Sequence, residues 1–320
     1  MPTVERVRLA YNNVYLVSDG KDLVVIDTGP DYRGARETLT SGLDGRTPRL
    51  VVATHGHLDH AGLGQWWQAE GVPVAAAAAD LPQILGHTDA DIDELEAYVE
   101  SVGAPEEVVI DVNAGLEQRR AWAHEMRTRA DWREPGDGRW PTALRYPAFE
   151  PQQVLEEGQS LACGLRIVLT PGHTPGNLVV VHEDEGWLFS GDQLLPEIMP
   201  TPAIQFHDGK RFASLPRFLD SLRRLPGLAD HETCMPGHGE PFENVRQVVE
   251  ENLAQAAERS ARLLESLRSG GPATVYELAE RTYPRALRRR FWQIISTIQG
   301  HLDVLAESGT ARFANGHWSA

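Results

Sequence analysis

"THGHLDHAG", residues 54–62, decides how the chain is read. It sets His55, His57, Asp59 and His60 within six consecutive positions, after the apolar run "LVVAT" (50–54) and before a helix-like run. Four metal-type ligands on one loop are too many for one tetrahedral ion. Packing alone does not call for an H-x-H-x-D-H run. The loop therefore predicts a metal site completed by residues from elsewhere in the chain.

Three other apolar runs end in the same way. "LRIVLT" (165–170) leads into "PGHTPG" with His173, "GWLFS" (186–190) into "GD" with Asp192, and "ETCMP" (232–236) into "GHG" with His238. Each candidate ligand falls just past the C-terminal end of a predicted strand, and in an α/β sandwich such ends can share one edge. Two ions with three terminal ligands each and one bridging carboxylate account for His55, His57, Asp59, His60, His173, Asp192 and His238. Imidazole with a few carboxylates suits zinc, with iron or manganese as alternatives, and the lack of thiolate at these positions fits an open catalytic site.

Working outward, further β-branched runs stand at 14–18, 23–27, 72–78 and 177–183. With helical patterns between some of them they predict an α/β arrangement with mixed sheets. Residues 81–150 interrupt the pattern. This helical insertion carries an acidic amphipathic stretch and a polar stretch with Trp122, Trp132, Trp140, Tyr146 and Phe149. It reads either as a satellite core of its own aromatics or as a pocket wall. A long helix spans 244–269 within a linking segment 244–271, and Gly270, Gly271 and Pro272 stop it. Residues 272–320 then read as helices followed by two short strands, a winged-helix-like module.

The totals narrow the function classes. The chain has 320 residues, 41% of them hydrophobic, a formal charge of −16 and a pI near 5.2, which disfavours a chain-wide nucleic-acid binder. Cys163 and Cys234 are too few for a disulfide framework. "MPTVERVRLAYNN" lacks the apolar core of a signal peptide, and no run reaches the ~20 apolar residues of a membrane span. The expectation is a cytoplasmic protein that does not enter a membrane.

H-x-H-x-D-H after a strand, then G-H-T-P-G, S-G-D and P-G-H-G in this order, resembles the metallo-β-lactamase-fold hydrolases. "VVIDTGP" (24–30) is similar to that family's early strand and turn. The similarity covers roughly residues 10–255 apart from the insertion, so residues 1–243 are expected to form the catalytic unit. The resemblance implies an αββα sandwich with the metal site at one edge. It implies one ion on His55, His57 and His173, a second on Asp59, His60 and His238, with Asp192 bridging, and Asp27 beside the site. The long helix and the module after it resemble a subgroup that ends this way and is often dimeric.

Two ions sharing a hydroxide would attack the substrate without a Ser or Cys nucleophile, with Asp59 orienting the hydroxide and moving its proton. The leading expectation is a dinuclear zinc hydrolase of a small ester, thioester or lactone. Phe206, His207 and Lys210, in the 194–212 stretch after Asp192, are candidate contacts to that acyl substrate. A nuclease or phosphodiesterase is the first alternative: from Pro272 onward six arginines face four carboxylates, and "RALRRRF" (285–291) could meet phosphates. An iron-dependent dioxygenase of the persulfide type is the second.

Overall fold

The computed structural model describes every residue except 11, 133–143, 201 and 228–232, so Trp140 and the first residue of "ETCMP" lie outside the described residues. The first half builds one sheet. β1 (Thr3–Arg8), β2 (Asn13–Ser18) and β3 (Leu23–Ile26) form an antiparallel meander. After α1 (Ala35–Leu43), β4 (Leu50–Val52) adds in parallel. Next come α2 (Leu58–Ala61), α3 (Gly64–Ala69) and β5 (Val74–Ala77), the last also parallel. The insertion supplies α4 (Leu81–Leu85), α5 (Thr88–Ser101) and α6 (Glu106–Thr128), and β6 (Gln153–Leu155) then completes the order β1-β2-β3-β4-β5-β6.

The second half builds the facing sheet from β7 (Arg166–Leu169), β8 (Leu178–His182) and β9 (Trp187–Gly191). A separate hairpin, β10 (Gln205–His207) and β11 (Lys210–Phe212), and α7 (Ser214–Arg224) precede β12 (Thr233–Pro236). The sheet order is β12-β9-β8-β7. The chain finishes with α8 (Val245–Gly270), α9 (Val275–Thr282), α10 (Phe291–Glu307) and the hairpin β13 (Arg312–Ala314) to β14 (His317–Ser319). Among the described residues no helix is long and apolar enough to cross a membrane.

The strands read as continuous apolar runs because both faces of each sheet are covered. Side chains alternate along a strand, so each run feeds two cores. On the first sheet Tyr15, Val17, Val24, Ile26 and Val52 face the second sheet, where they meet Ile167, Val180 and Phe189. Their neighbours Val14, Leu16, Val25 and Val51 face outward onto Leu39 of α1 and Trp67 of α3. On the second sheet Val168, Val179 and Leu188 face outward onto Leu215, Phe218 and Leu222 of α7 and Val249 of α8. The result is four layers, helix, sheet, sheet and helix, as the resemblance implies.

The insertion forms a cavity wall through α5 and α6, as one reading has it, but its described aromatics do not gather into a core of their own. Tyr146 and Phe149 belong to the core between the first sheet and its helices. Trp132 donates from Nε1 to Asp31 at 2.8 Å. The insertion's apolar side chains instead pack against the C-terminal elements: Val99 of α5 and Val102 just after it share a core with Leu263, Tyr276, Ile295 and Trp318. Arg211 of β11 grips Asp303 of α10 with two hydrogen bonds of 2.6 and 2.8 Å, and Tyr98 of α5 donates to Gln299 at 3.0 Å. A capping box between Thr274 and Glu277 starts α9. The C-terminal part is two helices and a short hairpin packed against α8 and the insertion.

Candidate metal centre

The structure brings all seven sequence-predicted ligands to one edge of the sandwich, at the C-terminal ends of β4, β7, β9 and β12. Their ligand atoms fall into two groups. In the first, His55 Nε2 and His173 Nε2 lie 2.9 and 3.0 Å from His57 Nδ1, and Asp192 Oδ2 is 3.4 Å from His173 Nε2. In the second, His60 Nε2 is 3.3 Å from His238 Nε2, which is also 3.3 Å from Asp59 Oδ2. The other oxygen of Asp192, Oδ1, faces this second group, 3.3 Å from His238 Nε2 and 3.5 Å from His60 Nε2. One carboxylate thus turns one oxygen to each group.

This donor set fits a divalent metal ion. His173 Nδ1 and Asp192 Oδ1 are buried without an aligned hydrogen bond, and imidazole nitrogens crowd together with their lone pairs converging. Burial, and then the neighbouring imidazoles, push His55 and His57 down, His57 to about 4; burial lowers His173 as well. The first group is therefore neutral imidazole at pH 7, the form that ligates. Burial also opposes charge on His60 and His238, but the carboxylates outweigh it. Asp27, Asp192 and Asp59 bring His60 up to about 9, and Asp192 and Asp59 bring His238 up to about 11. Burial works against the charge of Asp192 too, yet the imidazoles around it hold its pKa well below the usual carboxylate range. The carboxylates here demand positive charge, which a bound cation supplies while releasing protons.

A surrounding set of residues orients the ligands. Asp27 follows β3 with φ 68, buried, and its Oδ2 lies 2.7 Å from His60 Nδ1. Its Oδ1 accepts from the backbone N–H and the hydroxyl of Thr54, both at 2.8 Å. A proton on His60 Nδ1 is thereby held, leaving Nε2 free to ligate. The reading of Asp27 as a neighbour of the site matches this position.

Sequence reasoning passed over Asp80. Its carboxylate accepts from Gly56 N–H (2.7 Å), the Thr174 hydroxyl (2.7 Å) and Gly176 N–H (2.6 Å), tying the His55–His57 loop to the His173 turn. The available signal was its place just after β5, where the ligands of other strands also stand. Tyr146 donates to the carbonyl of Gly56 at 2.6 Å with the Arg127 guanidinium 3.7 Å over its ring, and Gln205 donates to the carbonyl of His173 at 2.8 Å. Close approach also selects two glycines: a Cβ at Gly237 would sit 2.6 Å from His60 Cε1, and one at Gly191, where φ is 49, would sit 2.7 Å from Thr54 Oγ1.

A cavity of about 290 Å³ opens at His57, with Leu95, Ile204, Phe206, His207 and Trp292 among its walls. The hairpin thus brings Phe206 and His207 beside the centre, while Lys210 is exposed and outside that wall.

A family profile described as the metallo-beta-lactamase superfamily matches residues 7–238. The chain belongs to the metallo-beta-lactamase superfamily. Within that superfamily it is 28% identical over 313 residues to a probable metallo-hydrolase, YqjP, of Bacillus subtilis, covering 95% of this chain and 91% of that protein. It is 28% identical over 244 residues to the acyl-coenzyme A thioesterase MBLAC2 of Gallus gallus, covering 72% and 73% of the two chains. The crystal structure of a metallo-beta-lactamase family protein from Thermus thermophilus superposes with a TM-score of 0.71 at 25% identity, over 99% of this chain and 98% of that one. The αββα fold and the His/Asp edge site are those of a metal-dependent hydrolase of this superfamily.

Proposed function

We propose that the protein is a two-metal hydrolase of small acyl thioesters. The observation that carries the two-metal part is Asp192, whose Oδ2 faces His173 while its Oδ1 faces His60 and His238. A carboxylate turned this way suits a bridge between an ion on His55, His57 and His173 and an ion on Asp59, His60 and His238. Zinc is the first choice for this nitrogen-rich set, with iron or manganese next. The thioester part is supported by the thioesterase relatives and by the apolar wall beside His57, which offers cover to groups flanking a scissile carbonyl. A simple ester or a lactone would meet the same wall.

Metal ions held here supply Lewis acidity and lower the pKa of water, so that a nucleophile exists near neutral pH. The protein's own residues do the rest. Asp59, whose carboxylate lies beside His238 in the second group, would accept the proton of the attacking water and pass it to sulfur. The water oxygen forms the new C–O bond, the C–S bond breaks, and a carboxylate and a thiol result, with the second proton of the water released to solvent. Asp27 holds His60, and Asp80 holds the two loops, in the orientation this requires.

The test is a metal analysis with a substrate panel of acyl thioesters, esters, lactones and phosphodiesters. Two ions per chain and the highest kcat/KM on thioesters are expected, and Asp59→Asn should lower kcat by about 10²-fold or more with the circular dichroism unchanged. Turnover of phosphodiesters alone, or one iron per chain, would overturn the reading.

A further inference from the structure

The cavity at His57 does not end blindly. A second cavity of about 530 Å³ adjoins it, and the two share Arg119, Ala203, Trp292 and Ser296 as walls. Both volumes are on the scale of ligand sites, ~300–1,000 Å³. The shared belt is fixed: Ile204 N–H donates to Ser296 Oγ at 3.1 Å, tying the loop before β10 to α10. Apolar side chains of α6 and α10, Val112, Leu116 and Phe291, line the second cavity, and Arg288, Arg289 and Arg290 stand along it.

Charge divides the two spaces. The inner cavity sets Asp80, Asp91, Glu94 and Asp208 against Arg119 at the belt, so its carboxylates outnumber its arginine and disfavour an anion that is not drawn by the metal centre. The outer one sets three exposed arginines, with Arg119 at the belt, against the single carboxylate of Asp111. None of the three outer guanidinium groups has an ion-pair partner among the described residues, whereas Arg119 at the belt lies in the field of Asp91. Neighbouring arginines of the same region are neutralised: Arg120 meets Asp89, Asp93 and Glu117, and Arg211 meets Asp303. Unpaired guanidinium at a cavity is unusual in a chain of net charge −16 and is the pattern that phosphate groups require.

We propose that Arg288, Arg289 and Arg290 bind the phosphates of a nucleotide-type thiol, so that the substrate is a coenzyme A thioester. Its thiol arm runs along Trp292 and Phe206 to the centre at His57. The assignment rests on the thioesterase reading and adds to it the site that selects the leaving thiol. The outer arginines hold the polyanion, and the acidic inner walls keep it from sliding toward the centre, so the scissile carbonyl alone reaches the edge of the sandwich.

The experiment compares one acyl group on two thiols, acetyl-coenzyme A and acetyl-N-acetylcysteamine, which lacks phosphate. Wild-type protein should prefer the first by 10-fold or more in kcat/KM, through KM and in a salt-dependent manner. The triple variant R288Q/R289Q/R290Q should lower that preference 10- to 100-fold. R223Q, which removes an exposed arginine paired with Asp220 and lining neither cavity, is the control and should leave the preference in place. Equal kcat/KM on both thioesters, or a preference the triple variant does not change, would overturn the proposal. Titration with adenosine 3′,5′-bisphosphate separates this from failure of the thioesterase reading. Arginine-dependent binding of the bisphosphate without thioester turnover keeps the phosphate site and removes the thioester. Arginine-dependent binding of single-stranded RNA with no binding of the bisphosphate makes the surface a nucleic-acid contact and overturns the proposal.

Discussion

Replacing Asp80 with Ala removes one carboxylate and three hydrogen bonds at once. The residue is 2% exposed, so water does not readily take its place. The hydroxyl of Thr174 can rotate toward another acceptor, but the N–H groups of Gly56 and Gly176 are fixed by the backbone. A buried donor left unpaired costs ~1–3 kcal/mol, giving about 2–6 kcal/mol for the two. Part of this is offset, because burial raises the pKa of Asp80 and its charge is itself held at a cost. A net loss of about 3 kcal/mol is expected, a large fraction of a typical stability of ~5–15 kcal/mol. Urea unfolding should show it as a lower midpoint at an unchanged slope. Gly56 lies between His55 and His57, and Gly176 lies three residues after His173, so metal affinity should fall by ~10–100-fold as well. Asp80→Asn keeps one acceptor oxygen and should fall between the two. If Asp80→Ala stayed within about 0.5 kcal/mol of wild type with unchanged metal affinity, the carboxylate would not be the tie between the two loops.

Two further perturbations separate the halves of the molecule. Asp27→Ala frees His60 Nδ1, so metal titration should show the Asp59–His60–His238 group weakened by ~10–100-fold before the His55–His57–His173 group; equal loss from both would contradict the orienting role. His301, 3% exposed and 2.9 Å from Ser260 Oγ, is pushed down to about 4 by burial and then by Arg259 and Arg262. Below pH 6.5 the unfolded chain takes up a proton that the folded chain refuses until about pH 4, so stability falls as pH drops through that window, by up to about 3 kcal/mol. His301→Gln should flatten that slope, as urea midpoints at pH 7 and pH 4.5 would reveal; parallel slopes in both proteins would refute it.

The candidate ligands were legible because they announce themselves as metal-binding side chains and, in four cases, by following an apolar run. His55, His173, Asp192 and His238 stand where period-two strands buried on both faces must end. The less legible parts lack that doubled signal. β1 is an edge strand, largely exposed on one face, and β6 is three residues with two of them exposed, so neither has an apolar run to mark it. Asp80 carries no ligand chemistry of its own, and its importance lies in contacts with residues 24 and 96 positions away. The tryptophans of the insertion suggested a local cluster, but Trp132 turns to Asp31, about a hundred residues earlier. Partner choice of this kind is tertiary, and composition does not encode it.

The core shared by α5, α9 and α10 changes what counts as a removable piece of this chain. Val99 and Val102 are covered by Leu263, Tyr276 and Ile295, and the backbone of Tyr276 donates to the carbonyl of Val102 at 2.9 Å. A chain cut after Gly270 would lose the far wall of both cavities and uncover the helices that form the near wall. The seven candidate ligands, by contrast, all come from the sandwich. A substitution in the walls can therefore change which substrate fits without touching a candidate ligand.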